Sequence, residues 1–469
     1  MVAIVGGGIG GLASAYYLLP RLAQHPHLRD KSISIFEASK RVGGWINSQQ
    51  LADGTMFELG PHSIRATGAP AFNTLKLMED IGLSEKVIPG TKSAQKKMIY
   101  SDGRVHVAPD SLGSLFEKST LLGKRPISLL LNDLKPSFSQ PSDESVYNFC
   151  RKRFGPEIAD KLICPIICGI FAGDAREISM KSFNEQMFKL QRKYGSLTLG
   201  VVATLSSSLF KSKPKQSIDP KSLMGRARAE RWRMVTLQGG LEQLPKKLCE
   251  VIKDKGVQVH TDHKCEKITF HDKEVEYIIN GETKKSDYII SSLSAKRTAD
   301  LVEDQHPKLA EMLREIPTIS VAIANLQFPK GILNSDAFGI LVNPADELPV
   351  LGVIYDHCIY PQDSTVLTVM MGGAWFEKYL GKLPANEHLL RVASEGLEKI
   401  LGIRQQATAY NISVLKDCIP QYRVGHKNLQ ERIAIYCSEH RLPIGLCGSS
   451  YQGVGVNDVI LSAKRISDL

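Results

Sequence analysis

The chain has 469 residues, 43% of them apolar and 23% charged, with a formal net charge of +10 at pH 7. Such a composition suits a soluble globular protein of two or three domain-sized units. It excludes a spanning helix, because no uncharged apolar run reaches the required ~18 residues and the longest candidate is only 196–210. Nine scattered cysteines, of which only Cys164 and Cys168 are close-spaced, form neither a disulfide framework nor a zinc motif. Reduced thiols are expected, and no metal.

Residues 2–5 are a short apolar strand that runs into Gly6, Gly8 and Gly11 and then into a helix. In that setting Gly-x-Gly-x-x-Gly has a mechanism. The first glycine makes the tight turn, the second admits a pyrophosphate to the backbone, and the third lets helix and sheet approach. Amides left unpaired at the helix start meet the negative charge. With this strand beginning at residue 2, no cleavable leader is expected. Residues 31–37 read as a second strand ending in Glu37, an acid placed for ribose hydroxyls, and 24–30 as a loop lengthening the usual spacing. Arg41-Val-Gly43-Gly44-Trp45 follows at once. A nicotinamide domain has no need of a second glycine pair there. The pattern Glu37-x-x-x-Arg41-x-Gly43-Gly44 resembles the amine oxidase and protoporphyrinogen oxidase superfamily, in which the pair lies against the FAD diphosphate.

Residues 57–64 form a strand leading into the turn Gly60-Pro61-His62-Ser63. The spacing predicts a helix over 69–83 ended by Gly82, then a hairpin over 98–107 turned by Asp102-Gly103. After Pro109 the texture becomes helical and leucine-rich. From 112 to 138 apolar clusters alternate with Lys118, Lys124, Arg125 and Lys135, a composition that fits docking on a membrane surface as well as ordinary core helices. Between 211 and 233 eight basic residues face only Asp219 and Glu230. This is a solvated loop, a contact for anionic lipid, or an attractor of an acidic substrate. Nucleic acid is not expected, because the segment has one aromatic, Trp232, and no binding module.

From 230 to 245 the chain returns to the first domain and continues as a helix, strands at 257–260 and 264–270, a hairpin turned at Asn280-Gly281, and a strand at 287–292. Residues 294–427 alternate apolar strands with helices. The closing stretch, Gly448-Ser449-Ser-Tyr-Gln-Gly453-Val454-Gly455-Val456-Asn457-Asp458, is a strand end, a glycine turn and a helix start, whose amides and dipole suit the negative end of a reduced flavin.

The closing motif, with Cys168-Gly169-Ile-Phe171-Ala-Gly173, Gly60-Pro61 and Leu351-Gly-Val-Ile-Tyr355, resembles the protoporphyrinogen oxidase family along the whole chain, most closely its animal mitochondrial branch. The resemblance implies an α/β (mixed α+β) fold. Its parts are a Rossmann-like FAD-binding domain (1–75, 230–293, 430–469), a sheet-based substrate-binding domain (76–108, 294–429) and a helical membrane-binding insertion (109–229). It implies FAD held by Gly6, Gly7, Gly8, Ile9, Gly10 and Gly11, by Glu37, Arg41, Gly44 and Trp45, and by Gly60, Pro61, His62 and Ser63. The Lys264 backbone, Ser449, Val454, Gly455 and Val456 complete that set. Protoporphyrinogen IX would lie among Phe338, Leu341, Ile354 and Met370, with Gly169 opposite and a cation at the mouth. Lys97 stands where relatives carry a propionate-binding arginine, keeping charge but losing the bidentate fork. His62 also replaces an arginine and is the single catalytic candidate, against its reading as a turn histidine without duty. Dioxygen as acceptor, a homodimer, an anionic membrane surface and handover to ferrochelatase are implied. So is a peripheral location on the intermembrane-space side of the mitochondrial inner membrane. An amine or polyamine oxidase of the same fold and a non-catalytic GDP-dissociation-inhibitor-like binding protein are the alternatives.

Overall fold

In a computed structural model, residues 1–24, 31–109, 113–134, 141–210 and 219–467 are described. Most of the loop expected at 24–30, the cations Lys135, Lys211, Lys213 and Lys215, and the start of the apolar stretch at 112 lie outside them. The chain forms two compact units, each assembled from separate segments.

The first unit comprises Met1–Gly90, Asp219–Pro317 and Asn428–Leu469. Its centre is a five-stranded sheet in the order Gln258–His260, Ile33–Phe36, Val2–Val5, Tyr288–Ser291, Ile444–Leu446, with every neighbouring pair parallel. Strands buried on both faces need apolar residues at successive positions, and alternate side chains supply the two faces. Val2, Ile4, Ile33 and Ile35 pack with Leu12, Leu244, Leu248 and Ile460. Ala3, Val5, Phe36 and Ile289 pack with Ile268, Val275, Tyr277 and Leu313. The opening helix Ile9–Gln24 and the closing helix Val456–Ile466 lie on the first of these faces, and a three-stranded meander (Cys265–Phe270, Val275–Ile279, Glu282–Ser286) on the second. The meander's Asn280-Gly281 turn has positive φ at both residues (50° and 80°), the backbone that Asn-Gly favours. The helix expected over 69–83 runs Ala69–Asp80 and stops before Gly82, whose φ is +79°.

The second unit comprises Thr91–Ile218 and Thr318–Lys427. Seven strands run in the order Ala409–Pro420, Thr318–Phe328, Thr365–Gly372, Val350–Tyr355, Gly339–Val342, Lys97–Ser101, Arg104–Val107. All pairs are antiparallel except Gly339–Val342 with Lys97–Ser101. The predicted hairpin closes this sheet at one edge, and its Asp102-Gly103 turn again takes positive φ at both residues. One face is a core in which Ile340, Val353, Val369 and Met371 meet Leu389, Val392, Ala393 and Leu397 of the helix Asn386–Leu401. The helical stretch up to 210 belongs to this unit rather than forming one of its own, whereas 76–90, 219–229 and 294–317 belong to the first. Its helix Leu197–Phe210 has 14 residues, about 21 Å against a hydrocarbon core of about 30 Å. Among the described residues no helix is long and apolar enough to cross a membrane.

Candidate functional site

The glycine turn of the first unit is fixed by sterics. A Cβ on Gly11 would lie 2.0 Å from the Gly6 carbonyl oxygen, and one on Gly6, where φ is +101°, 2.6 Å from the Ser292 hydroxyl. That hydroxyl donates to the carbonyls of Val5 and Gly6 (3.1 and 2.8 Å) and so ties the turn to the end of strand Tyr288–Ser291. Sequence reasoning missed Ser292. Its only signal was a second serine at a strand end. Gly10 has another role: its Cβ would press on Val459 at 3.2 Å, so the opening and closing helices touch there.

Glu37 ends the second strand where the ribose acid was expected. Its Oε2 accepts from the Gly7 amide at 2.7 Å, and its Oε1 from the Ser39 amide and hydroxyl at 2.8 and 2.7 Å. The carboxylate thus anchors the glycine turn while keeping lone pairs for further donors. The Gly43-Gly44 pair returns to the same place. Gly43 donates to the Gly7 carbonyl at 2.9 Å, and a Cβ on Gly44 would lie 3.3 Å from Gly8 Cα. Backbone faces backbone in a cradle that side chains would fill, beside the first-turn amides of the opening helix that no intrahelical carbonyl can satisfy. The residues present fit the diphosphate and ribose of a dinucleotide. Arg41 serves the loop: its guanidinium donates to the carbonyls of Val42, Gly44 and Ile46 (3.2, 2.6 and 3.0 Å). Trp45 is 46% exposed. Gly60 is required by the chain itself, since its Cβ would meet the Trp45 carbonyl at 1.8 Å. Pro61 and Ser63 are half-buried beside buried His62.

At Lys264 the backbone is already engaged. Its N–H donates to Asn280 Oδ1 at 3.0 Å and its carbonyl accepts from the Asn280 amide at 3.1 Å. An amide has one hydrogen, so Lys264 offers a base no donor, while its carbonyl keeps a second lone pair for an amino group. At the other end of the sequence Gly455 caps the closing helix, and Ser449, Val454 and Val456 are half-buried around its start. Gly453 (φ +131°) is forced by Asp458, whose Cβ lies 2.3 Å from the position a Gly453 Cβ would take. Burial holds the Asp458 carboxyl above the ordinary range, opposed by the Arg65 charge. The sequence placed Asp458 in the closing motif without marking this.

In the second unit the strand register gathers most of the expected substrate wall. Lys97, Gly339 and Ile354 form one cross-strand row, and Ile99, Leu341, Gly352 and Met370 form the row two residues on. Leu341, Ile354 and Met370 are half-buried on this face, and Lys97 is exposed beside them. Phe338 falls one residue out of step and packs against the core of the opposite face. Gly169 lies directly over Leu341, because a Cβ there would come within 2.3 Å of Leu341 Cδ2. Its helix, Cys164–Phe171, adds Cys168 to a small cluster with Val321, Ile323 and Met370. Burial pushes the thiols of Cys164, Cys168 and Cys265 up to about 12, so they are packing groups rather than nucleophiles.

The profile of the family described as "Flavin containing amine oxidoreductase" matches residues 9–469. The chain is 33% identical to human protoporphyrinogen oxidase over 476 residues, covering 99% of this chain and 97% of that protein. It is 29% identical to the protoporphyrinogen oxidase of Schizosaccharomyces pombe over 503 residues, covering 100% and 99%. Among solved structures, an Exiguobacterium protein that is a protoporphyrinogen oxidase by assignment superposes with a TM-score of 0.80 at 25% identity, covering 100% of this chain and 97% of that one.

Proposed function

The chain belongs to the Flavin containing amine oxidoreductase family, and from its 33% identity with a protoporphyrinogen oxidase along nearly its whole length we infer that it oxidises protoporphyrinogen IX to protoporphyrin IX with FAD and dioxygen. One observation carries the reading. A single chain holds both a dinucleotide cradle, in which Gly8 faces Gly44 beside Glu37, and a half-buried apolar sheet face with a cation at its side. The amine-oxidase and dissociation-inhibitor alternatives are not favoured by such an alignment.

Bound FAD would supply two-electron chemistry, as a hydride acceptor that dioxygen can reoxidise, with a pyrrole N–H proton accompanying each hydride so that hydrogen peroxide is the reduced product. Conversion to the conjugated porphyrin removes six electrons, so the macrocycle is oxidised in three such rounds. The remaining work is binding and orientation. We assign the diphosphate to the amides of Gly8 to Gly11 and to Gly44, the ribose hydroxyls to Glu37, and the flavin's electron-rich end to the start of the closing helix at Val454, Gly455 and Val456. Trp45, Gly60, Pro61, His62, Ser63 and Ser449 border this site, and Arg41 holds its loop. Leu341, Ile354 and Met370 offer a flat apolar wall for the ring, and Lys97 a positive charge for a propionate. His62 is given no catalytic duty.

Attachment to an anionic membrane surface belongs to the same proposal. Leu131, Leu199 and Val202 are 54%, 47% and 55% exposed on the helical part of the second unit, which also carries exposed Lys118, Lys124 and Arg125. Apolar side chains mixed with cations favour an interfacial, non-spanning seat. The same proposal includes a homodimer on the intermembrane-space side of the mitochondrial inner membrane that hands product to ferrochelatase, as the resemblance to the animal branch suggests.

The test is anaerobic mixing of the flavin-loaded protein with protoporphyrinogen IX, then admission of air. Flavin bleaching followed by porphyrin fluorescence above autoxidation is expected. A flavin that stays oxidised removes this substrate.

A further inference from the structure

Away from the cradle and the apolar wall, the second unit brings together Asp336, His357 and Cys358, with ligand atoms all within 4.8 Å of one another. Asp336 comes from the loop before strand Gly339–Val342, and the other two from the short helix Asp356–Ile359 after strand Val350–Tyr355. Sequence reasoning missed the trio because it sought closely spaced cysteines, and Asp336 lies far from the other two along the chain.

Three features distinguish the trio from a chance surface cluster. His357 is oriented from behind: its Nδ1 lies 3.3 Å from the Val366 carbonyl oxygen, which accepts a hydrogen bond from that nitrogen and leaves Nε2 facing Asp336 Oδ1, also at 3.3 Å. A carbonyl that fixes the histidine tautomer is the outer-shell partner metal sites use. The backbone under Cys358 is pinned as well, because the Thr91 amide and hydroxyl both donate to its carbonyl, at 3.1 and 2.8 Å. Exposure is graded too. Cys358 is 2% exposed, the His357 side chain 14% and that of Asp336 56%, so sulfur lies innermost and the carboxylate stands at a solvent-side mouth. Burial and the Asp336 charge push the Cys358 thiol up to about 12, as burial does for the packing cysteines, with the Ala337 amide and Ser93 hydroxyl acting the other way; what sets Cys358 apart is geometry, a histidine nitrogen and a carboxylate oxygen beside its sulfur.

We propose that Asp336, His357 and Cys358 bind one divalent ion of the zinc class, with water as the fourth ligand. Tetrahedral zinc with nitrogen, oxygen and sulfur ligands sets neighbouring ligand atoms about 3.3–3.7 Å apart. The nitrogen–oxygen edge already has that length, and the sulfur, within 4.8 Å of both atoms, closes onto it by at most about 1 Å. On binding, the thiol proton passes to water and the ion takes the Nε2 lone pair and an Asp336 oxygen. No electron moves. The ion ties the loop before strand Gly339–Val342 to the helix after strand Val350–Tyr355, the strands that carry Leu341 and Ile354.

The test is titration of the flavin-loaded protein with Co²⁺, followed at wavelengths longer than oxidised flavin absorbs. The expected result is one equivalent giving the intense bands of a tetrahedral thiolate-bound cobalt, displaced by one equivalent of Zn²⁺. His357→Ala and Cys358→Ser, checked for retained flavin and fold, should lose the bands and weaken binding beyond the roughly 10–100-fold cost of losing an outer-shell partner. Absence of the bands, or bands that persist unchanged in either variant, overturns the site.

Discussion

At the scale of single residues, Glu37 and Asp458 are two carboxylates of opposite character. Glu37 makes charge-assisted bonds to the Gly7 amide and to Ser39. Its removal frees the turn and also deletes the ribose acceptor. Glu37→Ala should therefore weaken FAD binding by about 10–100-fold, as expected for losing bonds to a charged group, read as flavin retained after gel filtration. Asp458 is held above the ordinary carboxylate range by burial. The folded state thus binds its proton more tightly than the unfolded chain, and stability falls as pH rises from the ordinary carboxylate value of 3.8 towards the raised folded value. Asp458→Asn should raise the melting temperature of the FAD-free protein at neutral pH, with the gain shrinking as pH is lowered into the carboxylate range. A gain that is the same at both pH values would show that burial of the charge is not its source.

At the scale of elements, what could be read in advance depended on sequence distance. The cradle was legible because Gly6, Gly8, Gly11, Glu37 and Gly44 report local sterics in consecutive elements. Both positive-φ turns were legible from Asp-Gly and Asn-Gly for the same reason. The apolar wall was legible only through resemblance, since Leu341, Ile354 and Met370 meet by the register of three strands, and a register cannot be read from any one of them. Phe338 shows the cost: a shift of one residue sends a side chain to the opposite face. The engagement of the Lys264 amide was not legible for a related reason, because its partner Asn280 lies across a hairpin. Helix Cys164–Phe171 offers a test of the wall. Gly169→Ala gains about 1 kcal/mol of helix propensity yet drives a methyl against Leu341 Cδ2. The single variant should raise KM for the tetrapyrrole, and Leu341→Ala in the same chain should recover part of the loss. Simple additivity of the two effects would mean that they do not share the site.

At the scale of the whole molecule, the proposed membrane seat needs no spanning segment. Val202 is 55% exposed on a helix of 14 residues, and a glutamate there should oppose both apolar insertion and an anionic surface. Val202→Glu is expected to lower co-sedimentation with phosphatidylserine-containing vesicles several-fold and leave flavin content untouched. Equal sedimentation of variant and parent would remove this helix from the contact. The interruption of the first unit, whose segments stop at Gly90 and Pro317 and resume after long excursions, has a consequence for biosynthesis. The first strand emerges from the ribosome about 440 residues before Ile444–Leu446, yet the two belong to one five-stranded sheet. Until that last strand and its helix arrive, Tyr288–Ser291 is a bare parallel edge, and Gly10 lacks the neighbour it packs against. Cofactor loading is therefore expected only after synthesis of the last strand, and chains stalled before residue 444 are expected to engage chaperones, which pull-down of stalled ribosome–nascent-chain complexes would show.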